Sequence, residues 1–103
     1  MTVSWMGYDF NVYAPDVYWN DLPGVYIFAG RNAAGSWVPV YIGQTNSFKN
    51  RLPDHERWLS ARGHGATHIH AKVEYNETTR QSVETELIRG FQPLLNRHGL
   101  FDY

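Results

Sequence analysis

The sequence predicts an α+β fold: a small, mostly antiparallel, three-stranded sheet flanked by helices. Two apolar runs that favour β structure, residues 25–29 and 37–42, are joined by a glycine-bearing turn and form a predicted hairpin. A third run, residues 67–74, alternates apolar and polar side chains as a half-buried strand does. Helical patterns follow the second and third strands, so the predicted order is strand, strand, helix, helix, strand, helix.

The residues before the first of these strands form an aromatic N-terminal arm over residues 1–22. Tyr8, Phe10 and Val12 alternate with polar residues, which suits a short strand or an extended arm. The aromatic side chains are expected to cover the core, with stacking on unpaired bases as the alternative. The 103-residue length predicts a single domain, with its core over residues 24–96.

Two short helices are predicted between the second and third strands. Asn46 or Ser47 is suited to cap the first, which Pro53 interrupts. Asp54 is expected to begin the second, and Gly63 is expected to end it.

A longer helix is predicted after the third strand. Thr78 and Gln81 have the spacing of a capping box, and the helix is expected to run to about Phe91. Val83, Leu87 and Ile88 lie on its apolar side.

Composition excludes several classes of function. The chain has no cysteine, so disulfides and thiolate metal sites are ruled out. The formal net charge is −1, which argues against binding nucleic acid by bulk positive charge. No stretch is long and apolar enough to cross a bilayer and no signal peptide opens the sequence, so we expect a cytoplasmic protein without membrane contact.

Two tripeptides and a C-terminal motif carry the chemistry. Residues 24–26 read Gly-Val-Tyr on the first predicted strand, and residues 41–43 read Tyr-Ile-Gly at the end of the second. Arg51 follows ten residues after Tyr41. Glu84 lies on the last helix, and Asn96 follows it by twelve residues.

These features resemble the GIY-YIG nucleases, which take their name from such a pair of tripeptides. Residues 84–96 are similar to the family's closing motif of glutamate, Leu-Ile, proline and asparagine, and Arg51 stands where the family keeps its arginine. The resemblance covers residues 24–96, and the ordered spacing is its specific part. It implies a metal-dependent endonuclease that hydrolyses phosphodiester bonds in DNA.

The resemblance also implies a role for each position. Glu84 would be the sole protein ligand of a divalent cation, Mg²⁺ or Mn²⁺, and Arg51 would pair with the phosphate. Tyr26 or Tyr41 would take the proton of the attacking water; we favour Tyr26 as the base and Tyr41 as its orienting neighbour. A phenol with a pKa near 10 needs a neighbouring cation to lower it, and Arg51 and the metal are the candidates. Asn96 would brace Glu84 or the backbone of the site.

One position departs from the pattern of some family members, and a second matches only certain members. Some members, the excision-repair ones included, carry a lysine just after the second tripeptide, where this chain has Gln44; we assign Gln44 and Lys49 to nucleic-acid contact. His55 follows Arg51 by four residues, as in certain restriction-enzyme members. If the helix continues past Pro53, His55 would face the same site and hold the phosphate or relay a proton.

The sequence also allows other functions. A GIY-YIG-like domain that binds nucleic acid or a protein without cutting is the main alternative. His64, His68 and His70 invite a metal site, but a polar, solvated face of the third strand is the favoured interpretation. Because the net charge is −1, we expect weak cleavage by the monomer, or a homodimer or partner protein that supplies targeting. The sequence leaves open whether the target is DNA or RNA, duplex or branched.

Overall fold

The computed structural model describes residues 1–97, in which five strands, three α-helices and a 3₁₀ turn follow one another. The elements are β1 (Thr2–Trp5), β2 (Tyr8–Tyr13), β3 (Gly24–Arg31), β4 (Trp37–Thr45), α1 (Phe48–Arg51), α2 (Trp58–Gly63), β5 (His68–Val73), α3 (Glu77–Phe91) and the 3₁₀ turn Leu94–Asn96. The α+β class and the antiparallel sheet are confirmed. No helix of this part of the chain has the length and apolarity to span a membrane.

The sheet has five strands in the order β1-β2-β5-β3-β4, and the prediction of three strands was wrong. The two additional strands, β1 and β2, form a hairpin whose second strand pairs with β5, Asn11 lying opposite Ala71. Alternation at Tyr8–Val12 indicated β2, whereas β1 is four residues long and has no such pattern of its own. Pairing with a neighbouring strand, which a local pattern does not report, therefore completes this edge of the sheet.

The central strand β3 is buried on both faces, which explains its continuous apolar run. Tyr26 and Phe28 pack with residues of α1 and α2 on one face. Val25 and Ile27 pack with residues of α3 and the N-terminal hairpin on the other. Trp5 and Phe10 are buried in that second cluster, as expected for aromatic residues that cover the core.

The helix starts differ from two of the predictions. Of the two predicted caps of α1, Asn46 and Ser47, it is Ser47 that caps the helix, since its hydroxyl accepts a hydrogen bond from the Asn50 N–H. The second helix begins at Trp58, not at Asp54, and the residues between α1 and α2 form turns. Arg57 donates its backbone N–H to the ring of His55, so a side chain takes the place of a helical acceptor there.

The third helix is capped by Asn76 and not by the predicted capping box at Thr78. The Asn76 side chain accepts from the Thr79 N–H, which places Thr78 in the first turn of the helix. An asparagine two residues earlier competes successfully for the same cap because its short amide reaches that donor. The predicted end at Phe91 is confirmed.

The favoured interpretation of β5 as a strand with a solvated histidine face was wrong for His70, which is fully buried. Its ring contacts Trp5, which donates a hydrogen bond to Nδ1, and the edge of Trp37. The N-terminal hairpin and α3 cover this face, and alternation within β5 alone carries no information about that cover.

Candidate active site

Tyr26 and Gly43 connect the two tripeptides across the sheet. They lie opposite each other in the β3–β4 pairing, so their side-chain positions share a face. A Cβ atom at Gly43 would lie 2.5 Å from Oη of Tyr26, closer than any real side chain could stay. The glycine therefore makes room for the phenol, and β4 continues through Gly43 to Thr45, although the sequence predicted that Gly43 ends the strand.

Tyr41 reaches the same face because it lies two residues before Gly43 in a regular stretch of β4, opposite Phe28. The strand has a bulge just before Tyr41, where Pro39 lies opposite Ala29 and Val40 is the extra residue. The ring centroids of Tyr26 and Tyr41 are 6.4 Å apart. The structure thus brings the two predicted tyrosines together on the face that packs against α1 and α2.

His55 lies next to the tyrosines, although the helix that was expected to carry it there does not continue past Pro53. Helix α1 ends at Arg51, and the turn that follows returns His55 to the sheet, where it is buried. Its Nε2 lies 2.7 Å from Oη of Tyr26, and its ring packs edge-on against Phe28. The turn between α1 and α2, and not a continuous helix, therefore brings His55 to Tyr26.

The hydrogen bonds of His55 fix its tautomer. Nδ1 accepts the backbone N–H of Arg57, so the ring proton of the neutral imidazole resides on Nε2. Nε2–H then donates to Oη of Tyr26. Burial lowers the pKa of His55 to about 4, with Arg51 adding to the effect, so the ring is neutral at pH 7.

The pKa values of both tyrosines are raised, although Arg51 opposes the shift as expected. Burial is the largest cause for each, and the charge of Glu84 adds to it. Arg51 lowers both pKa values, but by less than burial raises them. Without a metal ion or substrate, Tyr26 and Tyr41 are therefore neutral phenols at pH 7.

Arg51 lies at the edge of this cluster with its guanidinium already paired. Nη1 and Nη2 donate to the two carboxylate oxygens of Glu56 at 2.6 and 2.7 Å. Its charge acts on the pKa values of Tyr26, Tyr41 and His55. Sequence reasoning found Arg51 and missed Glu56, for which the sequence offers no signal beyond proximity.

Glu84 is a half-buried carboxylate on α3. Burial raises its pKa, and the backbone N–H of Gln44 opposes this shift. Within residues 1–97 it forms no ion pair with a lysine, arginine or histidine, so its charge is uncompensated by protein cations. A desolvated carboxylate with no ion-pair partner, whose charge is felt by both phenols, fits a divalent cation that takes oxygen ligands and keeps most of its waters.

Asn96 braces the second tripeptide and not Glu84. Its Oδ1 accepts the backbone N–H of Ile42 at 2.8 Å, and its Nδ2 donates to the Ile42 carbonyl at 2.9 Å. Ile42 is the residue between Tyr41 and Gly43. The side-chain amide therefore fixes the backbone of β4 where the site is built.

Gln44 and Lys49 differ in their surroundings. Lys49 is exposed, whereas the Gln44 amide oxygen accepts a hydrogen bond from Nε of Arg80 at 3.2 Å. Arg80 is buried and also donates to the backbone carbonyls of Glu74 and Tyr75. Sequence reasoning missed Arg80; its position one helical turn before Glu84 is the signal that could have identified it.

The histidines His64, His68 and His70, for which a metal site was the less favoured interpretation, lie in different surroundings. In the part of the chain that the structure describes, no group of three or more His, Asp or Glu side chains could hold a metal ion together. His64 is exposed and His70 is buried among aromatic rings, so the two share no common centre. A cation at Glu84 would depend on that single protein ligand and on water.

Comparison with known proteins places this geometry in a family. No protein-family model and no curated protein matches the chain. Among solved structures, it is similar to the GIY-YIG N-terminal endonuclease domain of UvrC from Thermotoga maritima bound to magnesium, its catalytic divalent cation, at 31% identity and a TM-score of 0.59. The match covers 74% of this chain and 84% of that one.

Point mutants of the same domain give matching results. An asparagine-to-alanine mutant bound to its catalytic divalent cation matches at 31% identity and a TM-score of 0.59, covering 74% of this chain and 83% of that one. A tyrosine-to-phenylalanine mutant, also bound to its cation, matches at 32% identity and 0.57 over the same shares. Given this identity and coverage, and two tripeptides that meet across one pair of strands, the chain belongs to the GIY-YIG family.

Proposed function

We propose that this protein is an endonuclease that hydrolyses phosphodiester bonds in DNA with the help of a divalent cation. One observation carries the proposal: Tyr26 is hydrogen-bonded to His55, and the charges of Arg51 and of the unpaired Glu84 carboxylate both act on its hydroxyl. A proton acceptor, a phosphate-binding cation and a metal ligand are the three groups that such hydrolysis requires. The solved endonuclease domains that the chain resembles support the same conclusion.

Tyr26 is proposed to accept the proton of the attacking water. It must act as a phenolate, so the groups that stabilise its negative charge decide its activity. His55 donates Nε2–H to its oxygen, and Arg51 contributes positive charge. In this arrangement His55 is a positioning residue that stabilises the ionised phenol and does not itself take the proton.

Arg51 and Glu84 are proposed to act on the phosphate. The planar guanidinium of Arg51 binds two phosphate oxygens and stabilises the charge of the pentacovalent transition state. Glu84 would hold Mg²⁺ or Mn²⁺, whose positive charge stabilises the leaving oxygen and favours ionisation of a nearby phenol. Tyr41 packs against the ring of His55 and orients the pair.

The remaining predicted residues have supporting roles in this proposal. Asn96 holds the backbone on which Tyr41 is placed. Lys49, on the exposed side of α1, contacts the nucleic-acid backbone, and Gln44 does so together with Arg80. Because the net charge is −1, a second copy or a partner protein would supply most of the targeting.

A domain that binds nucleic acid without cutting it is the second candidate. It is favoured by the raised pKa of Tyr26, since a neutral buried phenol is a poor base at pH 7. Salt-sensitive binding of DNA, with no cleavage in Mg²⁺ or Mn²⁺, would support this function instead.

The test is nicking of supercoiled plasmid by wild type, Glu84→Gln and Glu86→Gln, with and without chelator. Glu86 is an exposed glutamate two residues further along the same helix, so it controls for charge and for helix stability. We expect wild type and Glu86→Gln to nick equally and Glu84→Gln to lose about 10²-fold or more of the rate, because the metal ligand is gone. Equal nicking by Glu84→Gln would contradict the assignment of the metal site.

A further inference from the structure

One edge of the Arg51 guanidinium is occupied in the absence of nucleic acid. Its two terminal nitrogens donate in parallel to both oxygens of Glu56. Among the residues that the structure describes, its guanidinium has no second hydrogen-bond partner. A phosphate that approaches Arg51 therefore finds both of these donors occupied.

A carboxylate and a phosphate bind a guanidinium in the same way. Each presents two oxygens, side by side, to the planar fork of N–H donors. Both ligands can bind the edge of Arg51 that Nη1 and Nη2 form, and a phosphate that binds this edge must displace Glu56. The consequence rests on the proposed function, in which Arg51 binds the phosphate of the substrate.

The position of Glu56 suits a partner that can leave. Its backbone follows His55, which is anchored by Tyr26 on one ring nitrogen and by the Arg57 N–H on the other. Its side chain is 65% exposed and that of Arg51 is 35% exposed, so the pair can open into water without burying an unpaired charge. The anchored backbone keeps the carboxylate next to Arg51, whereas the exposed side chain is free to rotate away.

We propose that Glu56 is an internal phosphate mimic, which occupies Arg51 in the free protein and is displaced when a nucleic-acid phosphate binds. The residue acts as a competitor, so its removal strengthens binding. If Glu56 instead held Arg51 in the orientation that binds the phosphate, removing the carboxylate would weaken DNA binding. The two roles are therefore distinguished by the direction of one measurement.

The test is fluorescence anisotropy of a labelled short DNA duplex, titrated with each variant in the presence of chelator. We expect Glu56→Gln to lower the Kd about three- to tenfold, because the ion pair to be broken is exposed and of modest strength. Asp9→Asn removes the same charge from β2, on the far side of the sheet from β4, and should change the Kd less than about twofold. Unchanged or weaker binding by Glu56→Gln would overturn the proposal, as would failure of both wild type and Glu56→Gln to bind.

A double-mutant cycle isolates the Arg51–Glu56 pair. In an Arg51→Gln background there is no guanidinium to release, so Glu56→Gln should have no effect on the Kd beyond that of Asp9→Asn. An effect that persists without Arg51 would overturn the proposal. Glu56→Ala provides a second removal of the carboxylate should Glu56→Gln fold poorly in a thermal melt.

These measurements separate this inference from the proposed function. Binding in chelator does not require cleavage, so the competition can be observed even in a domain that does not cut. If wild type does not nick plasmid but Glu56→Gln still binds DNA more tightly, the proposed nuclease activity is rejected and the proposed role of Glu56 is retained. If wild type nicks plasmid but Glu56→Gln leaves the Kd unchanged, the nuclease activity is retained and the proposed role of Glu56 is rejected.

Discussion

His55 and His70 lie on opposite faces of one sheet, and burial lowers the pKa of each to about 4. His55 has a polar partner at each ring nitrogen: the Arg57 N–H at one and the Tyr26 hydroxyl at the other. His70 accepts from Trp5 at Nδ1, and no partner within residues 1–97 meets its buried Nε2. Burial and pKa are alike in the two residues, so neither property identifies the one that belongs to the site.

The difference lies in what each ring can do for its neighbour. The proton on Nε2 of His55 points to an oxygen whose ionisation the proposed reaction needs. The same proton on His70 lies among aromatic rings, where it lacks an acceptor and where a charged form would be poorly solvated. The comparison separates a histidine that stabilises charge on a partner from one that fills the core.

The largest expected effect concerns cleavage. His55→Leu should reduce the nicking rate about 10- to 100-fold, because the phenolate of Tyr26 loses a hydrogen bond to a charged group. His70→Leu should leave the rate per folded molecule within about twofold, since its ring contacts Trp5 and Trp37 and lies outside the tyrosine cluster. Plasmid nicking, normalised to the folded fraction from circular dichroism, measures both.

A conservative variant sharpens this first prediction. The amide of His55→Gln offers a donor for Tyr26 and an acceptor for the Arg57 N–H, so it should recover part of the lost rate. Equal losses in His55→Leu and His70→Leu would show that the two faces do not differ in function.

The second prediction concerns stability in acid. The folded pKa of each histidine lies near 4, below the ordinary value of 6.5, so the unfolded chain binds protons first as the pH falls. The contribution of the two histidines to the free energy of unfolding should therefore be at its maximum above pH 6.5. It should decline by roughly 2–3 kcal/mol for each histidine as the pH falls to about 4. Denaturant unfolding across this window measures the decline.

Single variants divide that pH dependence between the two faces. His55→Leu and His70→Leu should each remove about half of the slope, because each deletes one of the two protons taken up on unfolding. Glu84 acts in the opposite direction, since burial raises its pKa. The pair with Arg51 lowers the pKa of Glu56 from 4.5 to about 2, so its contribution is lost mostly below this window. An unchanged slope in His70→Leu would contradict its assignment as a buried neutral ring.

The smallest expected effect concerns the hydrogen bond of His70. Trp5→Phe removes the donor to Nδ1 and leaves a small gap, so it should lower the free energy of unfolding by about 1–2 kcal/mol. The nicking rate should not change. A loss of cleavage in Trp5→Phe, with the protein fully folded, would show that the surroundings of His70 also contribute to cleavage and would contradict the contrast between the two histidines.

The pairing of the tripeptides could be predicted because it follows from strand geometry. Tyr26 and Gly43 lie opposite each other in an antiparallel hairpin, and both strands had clear apolar patterns. Ser47 and the end of α3 at Phe91 were equally accessible, because a cap or a change of pattern marks them locally. Local patterns therefore recovered the frame of the site.

The features that sequence reasoning missed depend on contacts between distant segments. His70 is buried because the N-terminal hairpin covers β5, and no pattern within β5 reports this. The pairing of Glu56 with Arg51 depends on the turn between α1 and α2, which local sequence predicted to be helical. The raised pKa of Tyr26 reflects how deeply its ring is packed, a quantity that the spacing of motifs does not contain.

The amide of Asn96 has a consequence for assembly. Strand β4 lies at one edge of the sheet, and the N–H and carbonyl of Ile42 are the groups that an added strand would use there. Asn96 binds both of them and so stands in for one peptide unit of a sixth strand. The chain thus seals its own edge beside the second tripeptide, and the sheet cannot be extended by another copy at that point.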